Sequence, residues 1–292
     1  MIISKQVFDL VKLGWRKYAG LDIKSILVNS RKMVYLEANP NSKNIIVMLH
    51  GITADKYMWP VFARKFVKNG YRVIIPDLPP FGESEYDLSI NYSLENQAKN
   101  LKIFLENINV NHKIHIMGNS MGGGVSAKFT ILYPDLVTSL VLFDNMGIYS
   151  VKRTKFLENL ESGDKNLMLI KNKSDLNGML NLVYHKQPFI PPVIKKELLR
   201  ERKLSYDKDK KVFNDLLSEK WYLEEELDKI KVKTFIIWGK YDEVFDFSTV
   251  EVLKMGIENS NSLIVDNCGH MPMNEKAYYT AKKVLKFIKS LN

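Results

Sequence analysis

A single cysteine, Cys268, stands in a chain of 292 residues, so no internal disulfide can form and no multi-cysteine metal site can be built. Long apolar runs are missing too. No stretch of about 18 or more apolar residues occurs, so nothing reads as a membrane span. Between Met1 and Trp15 the apolar residues are interrupted by Lys5, Asp9 and Lys12. That leaves no uninterrupted signal-peptide core of about 7 to 15 residues and makes a cytoplasmic location the expectation. There is no internal repeat, no low-complexity tract and no His or carboxylate pair at metal-ligand spacing, so no metal is expected.

What is present suits a globular domain: 46% hydrophobic and 26% charged residues, enough to bury a full core, without the apolar depletion of a disordered chain. The formal charge of +10 arises from 43 basic against 33 acidic residues spread along the sequence, an excess that favours anionic surfaces. Nucleic acid is not an expected partner. Lys208, Lys210 and Lys211 have acidic neighbours in Asp207 and Asp209, and no basic patch interleaves with aromatics.

Residues 1–20 carry a helical pattern, with Ile3, Val7, Leu10, Val11, Trp15 and Tyr18 as an apolar stripe and Lys5, Asp9, Lys12 and Arg16 opposite. Such a stripe either packs on the domain or a dimer partner, or rests on a membrane surface as a peripheral contact. Beyond it, short β-rich runs at 45–49, 71–75, 114–117, 140–143, 234–238 and 262–265 alternate with helical patterns at 59–69, 93–107, 122–133 and 276–291. The order strand, helix, strand requires a doubly wound α/β fold with a mostly parallel sheet. The alternation stops over 147–231, where Lys, Glu, Asn and Leu dominate. This reads as a helical cap inserted into a core formed by 21–146 and 232–292, over the carboxyl ends of the strands where α/β proteins bind ligands.

The strongest local signal is Gly118-Asn119-Ser120-Met121-Gly122, directly after one β run and directly before a helical pattern. Glycines on both sides let the chain turn sharply, project the serine hydroxyl and set the next amide at a helix N-terminus. The competing reading, a phosphate-binding glycine loop, lacks its Lys-Ser/Thr ending and its place after the first strand. A serine needs a base. Of the five histidines, His112 and His115 read as polar residues of a loop and a strand. His185 falls in the cap, and His50 reads as a buried tie for the loop after the first strand. His270 lies after the last strand, where the chain order Ser, acid, His places the base. The acid expected between them is Asp242, with Asp246 and Asp144 as rivals. Asp246 better suits a helix cap and Asp144 a turn at a strand end. Asp77 reads as a loop organiser. Two backbone donors, the Ile52 and Met121 amides, are placed for an oxyanion, each worth about 3 to 4 kcal/mol.

With these residues set out, the sequence resembles the α/β-hydrolase superfamily, in particular its monoacylglycerol lipase and bacterial esterase/lipase branch. The likeness runs through Ala19-Gly20-Leu21, Tyr35-Leu36-Glu37, Leu49-His50-Gly51 with Asp55-Lys56 and Trp59, Gly118 to Gly123, Ile236 to Lys240, and Asn267-Cys268-Gly269-His270. It is weakest in the cap, and Pro79-Pro80-Phe81-Gly82 departs from the family's usual loop. The resemblance implies Ser120, Asp242 and His270 as catalytic triad, Ile52 and Met121 as oxyanion hole, and hydrolysis of lipid-like acyl esters without a cofactor. Carbon-carbon bond hydrolases share Gly-Asn-Ser-Met-Gly-Gly but usually carry Gly-Pro-Gly where this chain has Ile52-Thr53-Ala54. Other readings are an acyltransferase or perhydrolase using the same acyl enzyme, and a non-catalytic ligand-binding scaffold.

Overall fold

Alternate residues of the central strands point to opposite faces, and here both faces are apolar: Ile45, Val47 and Leu49 enter one core cluster, Ile46 and Met48 the other. A strand hydrophobic on both sides must be covered twice, which is what a doubly wound sheet provides. The computed structural model describes residues 2–149, 151–218 and 223–291, and the side chains of all these except Ile2, Ile3 and Ser218. Ile3 of the expected stripe and positions 219–222 of the expected cap thus lie outside what is described.

Helix α1 (Ile2–Ala19) precedes a hairpin of β1 (Asp22–Val28) and β2 (Arg31–Ala38). Next come β3 (Ile45–Leu49), α2 (Pro60–Val67), β4 (Arg72–Pro76), α3 (Leu94–Asn107), β5 (Ile114–Asn119), α4 (Met121–Leu132) and β6 (Val137–Phe143). Four helices follow: α5 (Lys155–Glu161), α6 (Lys173–Val183), α7 (Pro192–Leu204) and α8 (Tyr206–Ser218). The chain ends with β7 (Lys233–Gly239), α9 (Thr249–Gly256), β8 (Ser260–Val265), α10 (Pro272–Glu275) and α11 (Ala277–Lys289).

Among the described residues the sheet has eight strands in the order β1-β2-β4-β3-β5-β6-β7-β8. From β4 to β8 all pairs are parallel, while β1 and β2 join antiparallel at one edge. That edge hairpin is absent from the sequence reading. Its first strand is almost wholly exposed, so it lacks the apolar run that betrays the others. Its turn is made by Asn29 and Ser30, both at positive φ (49° and 64°), the geometry of a two-residue turn suited to strand twist.

Phe62 and Phe66 of α2 pack with Val284 and Ile288 of α11 on one face. Leu101 and Phe104 of α3 pack with Val125 and Phe129 of α4 on the other, in a cluster continuous with Met168, Val212 and Phe213 of the region between β6 and β7.

Helix α1 corrects the sequence reading. Leu10, Trp15 and Tyr18, assigned to its packing stripe, are 64%, 42% and 45% exposed, whereas Ser4, Phe8 and Ala19 are buried. Lys12, assigned to the outer face, turns inward to pair with Glu201 of α7 at 3.2 Å, its ammonium over the Phe8 ring. The helix rests on α2 and α7, two separate supports, so a charged side chain with a partner at the seam displaces a stripe drawn from hydrophobicity alone.

Candidate active site

Parallel registers bring five loops to one edge of the sheet. Leu49 lies opposite Gly118, Asn119 opposite Phe143, Phe143 opposite Ile237, and Gly239 opposite Val265. The residues that follow these strand ends are therefore neighbours: the 50–52 loop, Ser120, Asp144, Asp242 and His270.

Ser120 sits at φ 55°, ψ −121° between β5 and α4, a conformation of order 1–3 kcal/mol above ordinary backbone for a residue with a side chain. It persists because its surroundings hold it. The Ser120 N–H donates to the Phe143 carbonyl at 3.0 Å, and its own carbonyl accepts from Gly124 and Met146, each at 3.1 Å. Nothing larger than glycine fits the two flanking positions: a Cβ on Gly118 would stand 2.1 Å from the Gly122 carbonyl oxygen, and one on Gly122 would stand 2.4 Å from those of Leu49 and His50.

His270 Nδ1 lies 2.8 Å from Asp242 Oδ2. A carboxylate only accepts, so Nδ1 carries the proton and Nε2 is left as the free acceptor. Nε2 is buried and has no hydrogen-bond partner. Asp242 Oδ1 accepts the Val244 and Phe245 amides at 2.7 and 3.1 Å, which fixes the carboxylate. Three further contacts hold His270, two on its backbone and one on its ring. Asn119 Nδ2 donates to the His270 carbonyl at 3.0 Å, the His270 N–H donates to Val183 at the end of α6 at 3.0 Å, and the ring stands edge-on to Phe245. Glu275 braces the same loop by accepting the Gly269 N–H at 2.7 Å and the Lys186 N–H at 3.1 Å.

Ser120 and His270 open on one cavity of about 460 Å³, within the range of small-molecule sites. Gly51 and Ile52 lie at its base beside Ser120, and its walls are apolar: Met179, Leu180 and Ile194 from the region between β6 and β7, and Phe8, Val11 and Trp15 from α1. The spacing of these last three is one helical face, so α1 builds part of the cavity wall, a role the sequence reading missed. Met121 opens α4, and its amide has no carbonyl a turn earlier to bond.

The remaining candidates take other places. His50 bonds Gly51 O through Nδ1 at 2.8 Å and accepts the Leu78 N–H through Nε2 at 2.9 Å; burial lowers its pKa to about 4. Asp77 gathers the Lys56 amide and ammonium and the Glu83 amide at 2.6–2.8 Å, with burial raising it to about 6. His115 bonds Ser139 inside the sheet, His112 is exposed, and His185 stacks on Tyr241. Asp246 accepts the Ser248 amide ahead of α9. Asp144, assigned to a strand-end turn, does end β6 at φ 43°. It is also fully buried beside Asp242 and His270, the polar atoms of all three lying within 4.8 Å of one another. The grouping is invisible to spacing rules because each residue comes from a different strand end. Among the described residues no helix is long and apolar enough to cross a membrane.

A family model described as "alpha/beta hydrolase fold" matches residues 44–179, and the chain belongs to the α/β-hydrolase family. It is 32% identical to Lipase 1 of Psychrobacter immobilis over 93% of this chain and 86% of that one. To monoacylglycerol lipase ABHD6 of Rattus norvegicus it is also 32% identical, over 95% and 85%. The crystal structure of a membrane phospholipase A, described as a bacterial virulence factor, superposes with a TM-score of 0.96 at 31% identity, covering 100% of this chain and 93% of that one.

Proposed function

We propose that this chain is a serine esterase of the lipase type, hydrolysing lipid-like carboxylic esters through an acyl enzyme. The observation that carries the reading is the His270–Asp242 bond at 2.8 Å with Nε2 unpartnered on the apolar cavity that holds Ser120. His270 Nε2 takes the proton as Ser120 Oγ attacks the ester carbonyl, and Asp242 stabilises the imidazolium. The negative oxygen of the tetrahedral intermediate meets the Ile52 and Met121 amides. As the intermediate collapses, His270 returns the proton to the departing alcohol, and water then repeats the sequence on the acyl enzyme. The bond from Ser120 Oγ to Nε2 is not made here, and such contacts commonly tighten only with substrate.

The cavity's volume and apolar lining support a medium or long acyl chain, and a monoacylglycerol is the leading substrate. The supporting comparison is the lipase relatives. A panel of nitrophenyl esters and monoglycerides tests this. Wild type is expected to favour acyl chains of intermediate or greater length and Ser120→Ala to be inactive; equal turnover by Ser120→Ala would overturn the mechanism.

The outer face of α1 supports a peripheral membrane contact. Leu10 and Leu13 are 64% and 40% exposed, and Trp15 and Phe189, at 42% and 87%, also border the cavity. An apolar patch at the entrance would let a lipid pass from a surface without crossing water. Leu10→Ser with Leu13→Ser is expected to reduce vesicle co-sedimentation while soluble-ester turnover is retained; unchanged co-sedimentation would contradict the contact.

A further inference from the structure

One buried acid has no place in that mechanism. Asp144 is 0% exposed. Its Oδ1 accepts the Gly239 N–H at 2.8 Å, but Oδ2 is buried with no hydrogen-bond partner. Two carboxylates this close and this dry cannot both be ionised. Asp242 has the stronger claim to the charge, because three N–H groups, from Val244, Phe245 and His270, donate to its oxygens. Asp144 has one.

We propose that Asp144 is a positioning residue, a neutral carboxylic acid whose Oδ2–H donates a hydrogen bond to Asp242 and holds that carboxylate in line with His270. The proposal rests on the triad reading above. It accounts for the orphaned oxygen, which becomes a donor once protonated. Burial, and after it the Asp242 charge, pushes Asp144 well above the usual carboxylate range. The other titratable groups facing it are His270, Glu275 and Cys268. Glu275 adds to the upward push, and Cys268 is a thiol that burial itself pushes up. The backbone extends the linkage to the nucleophile. Phe143, just before Asp144, accepts the Ser120 N–H, and Met146, two residues after it, donates to the Ser120 carbonyl. Residues 143–146 thus clasp Ser120 while the side chain between them braces the acid.

Two variants and one spectrum test this. Asp144→Ala removes the donor. Its kcat is expected to fall roughly 10- to 100-fold, as for lost supporting bonds around a site, with KM little changed. The acid limb of its pH profile is expected to move to higher pH, because an Asp242 without that donor makes the imidazole more basic. Asp144→Asn keeps the shape, the neutrality and a donor, so it is expected to rescue kcat to within about threefold and leave the acid limb in place. At neutral pH the infrared spectrum of the wild type is expected to show the carbonyl stretch of a protonated carboxylic acid that Asp144→Asn lacks. Absence of that band, or an Asn variant whose acid limb drops as though a negative charge had been lost, would overturn the proposal. So would loss of wild-type activity on chelation with recovery on adding a divalent cation. If Asp144→Ala does not fold, the Asn variant and the spectrum decide. The band does not depend on turnover, so its absence refutes the proton alone, whereas an active Ser120→Ala refutes the hydrolytic reading alone.

Discussion

The strand-end frame and the cavity wall are built by different forces. In the frame, Ser120, Asp144, Asp242 and His270 are fixed by directional bonds of 2.7–3.1 Å to backbone groups of neighbouring loops. In the wall, α1 and the helices between β6 and β7 present apolar side chains to the cavity. Their polar contacts with the frame include the Val183 carbonyl on His270, the Lys186 amide on Glu275, the Arg202 guanidinium on the Thr53 carbonyl and the Thr154 hydroxyl on the Val244 carbonyl. Directional bonds set positions to fractions of an ångström, as proton transfer needs, while apolar contact sets volume and length. Chemistry should therefore fail when the frame is altered, and selectivity should shift when the wall is.

The largest effect is expected from Asp242→Asn, which keeps shape but favours the wrong imidazole tautomer. The expected loss in kcat is roughly 10³- to 10⁴-fold, read by steady-state kinetics, and a loss under tenfold would detach Asp242 from the chemistry. Gly122→Ala places a methyl against the carbonyls of Leu49 and His50, and urea titration should show a loss of about 3 kcal/mol or more. On the wall, Ile194→Ala is expected to lower the ratio of kcat/KM for long-chain over acetyl esters about tenfold, near 1.4 kcal/mol. An unchanged ratio would remove Ile194 from the acyl site. A separate effect, on stability alone, concerns His115, which burial holds at about 4 against an ordinary 6.5. Between those values the unfolded chain binds a proton that the folded one does not, so stability falls as pH falls through the window. Relative to His115→Gln, the wild type should lose up to about 3 kcal/mol from pH 6.5 to 4. A pH-independent difference between the two would contradict the neutral buried ring.

The same division decides what the sequence made legible. Sharp backbone turns demand particular residues, so Gly118 and Gly122 around Ser120, and Asp242 and His270 in the order the fold requires, stand out in the sequence. The central strands stood out as well, because burial on both faces writes continuous apolar runs. Strand β1 did not, since its exposed residues carry no such record. The orientation of α1 was misread because its inward face is defined by partners far away in sequence. Glu201 accepts Lys12 there, while Leu10 is left outside. Asp144 was legible only as a turn, since its closeness to Asp242 and His270 exists only when three strand ends meet.

The central claim is that Ser120 carries the acyl group, and the most direct test is to trap it. Wild-type protein mixed with a long-chain nitrophenyl ester, quenched in acid within the burst phase and digested, should yield a Ser120 peptide heavier by one acyl group. That adduct should be absent from Ser120→Ala. Acyl transfer to any other residue, or full turnover with Ser120 unmodified throughout, would contradict the account.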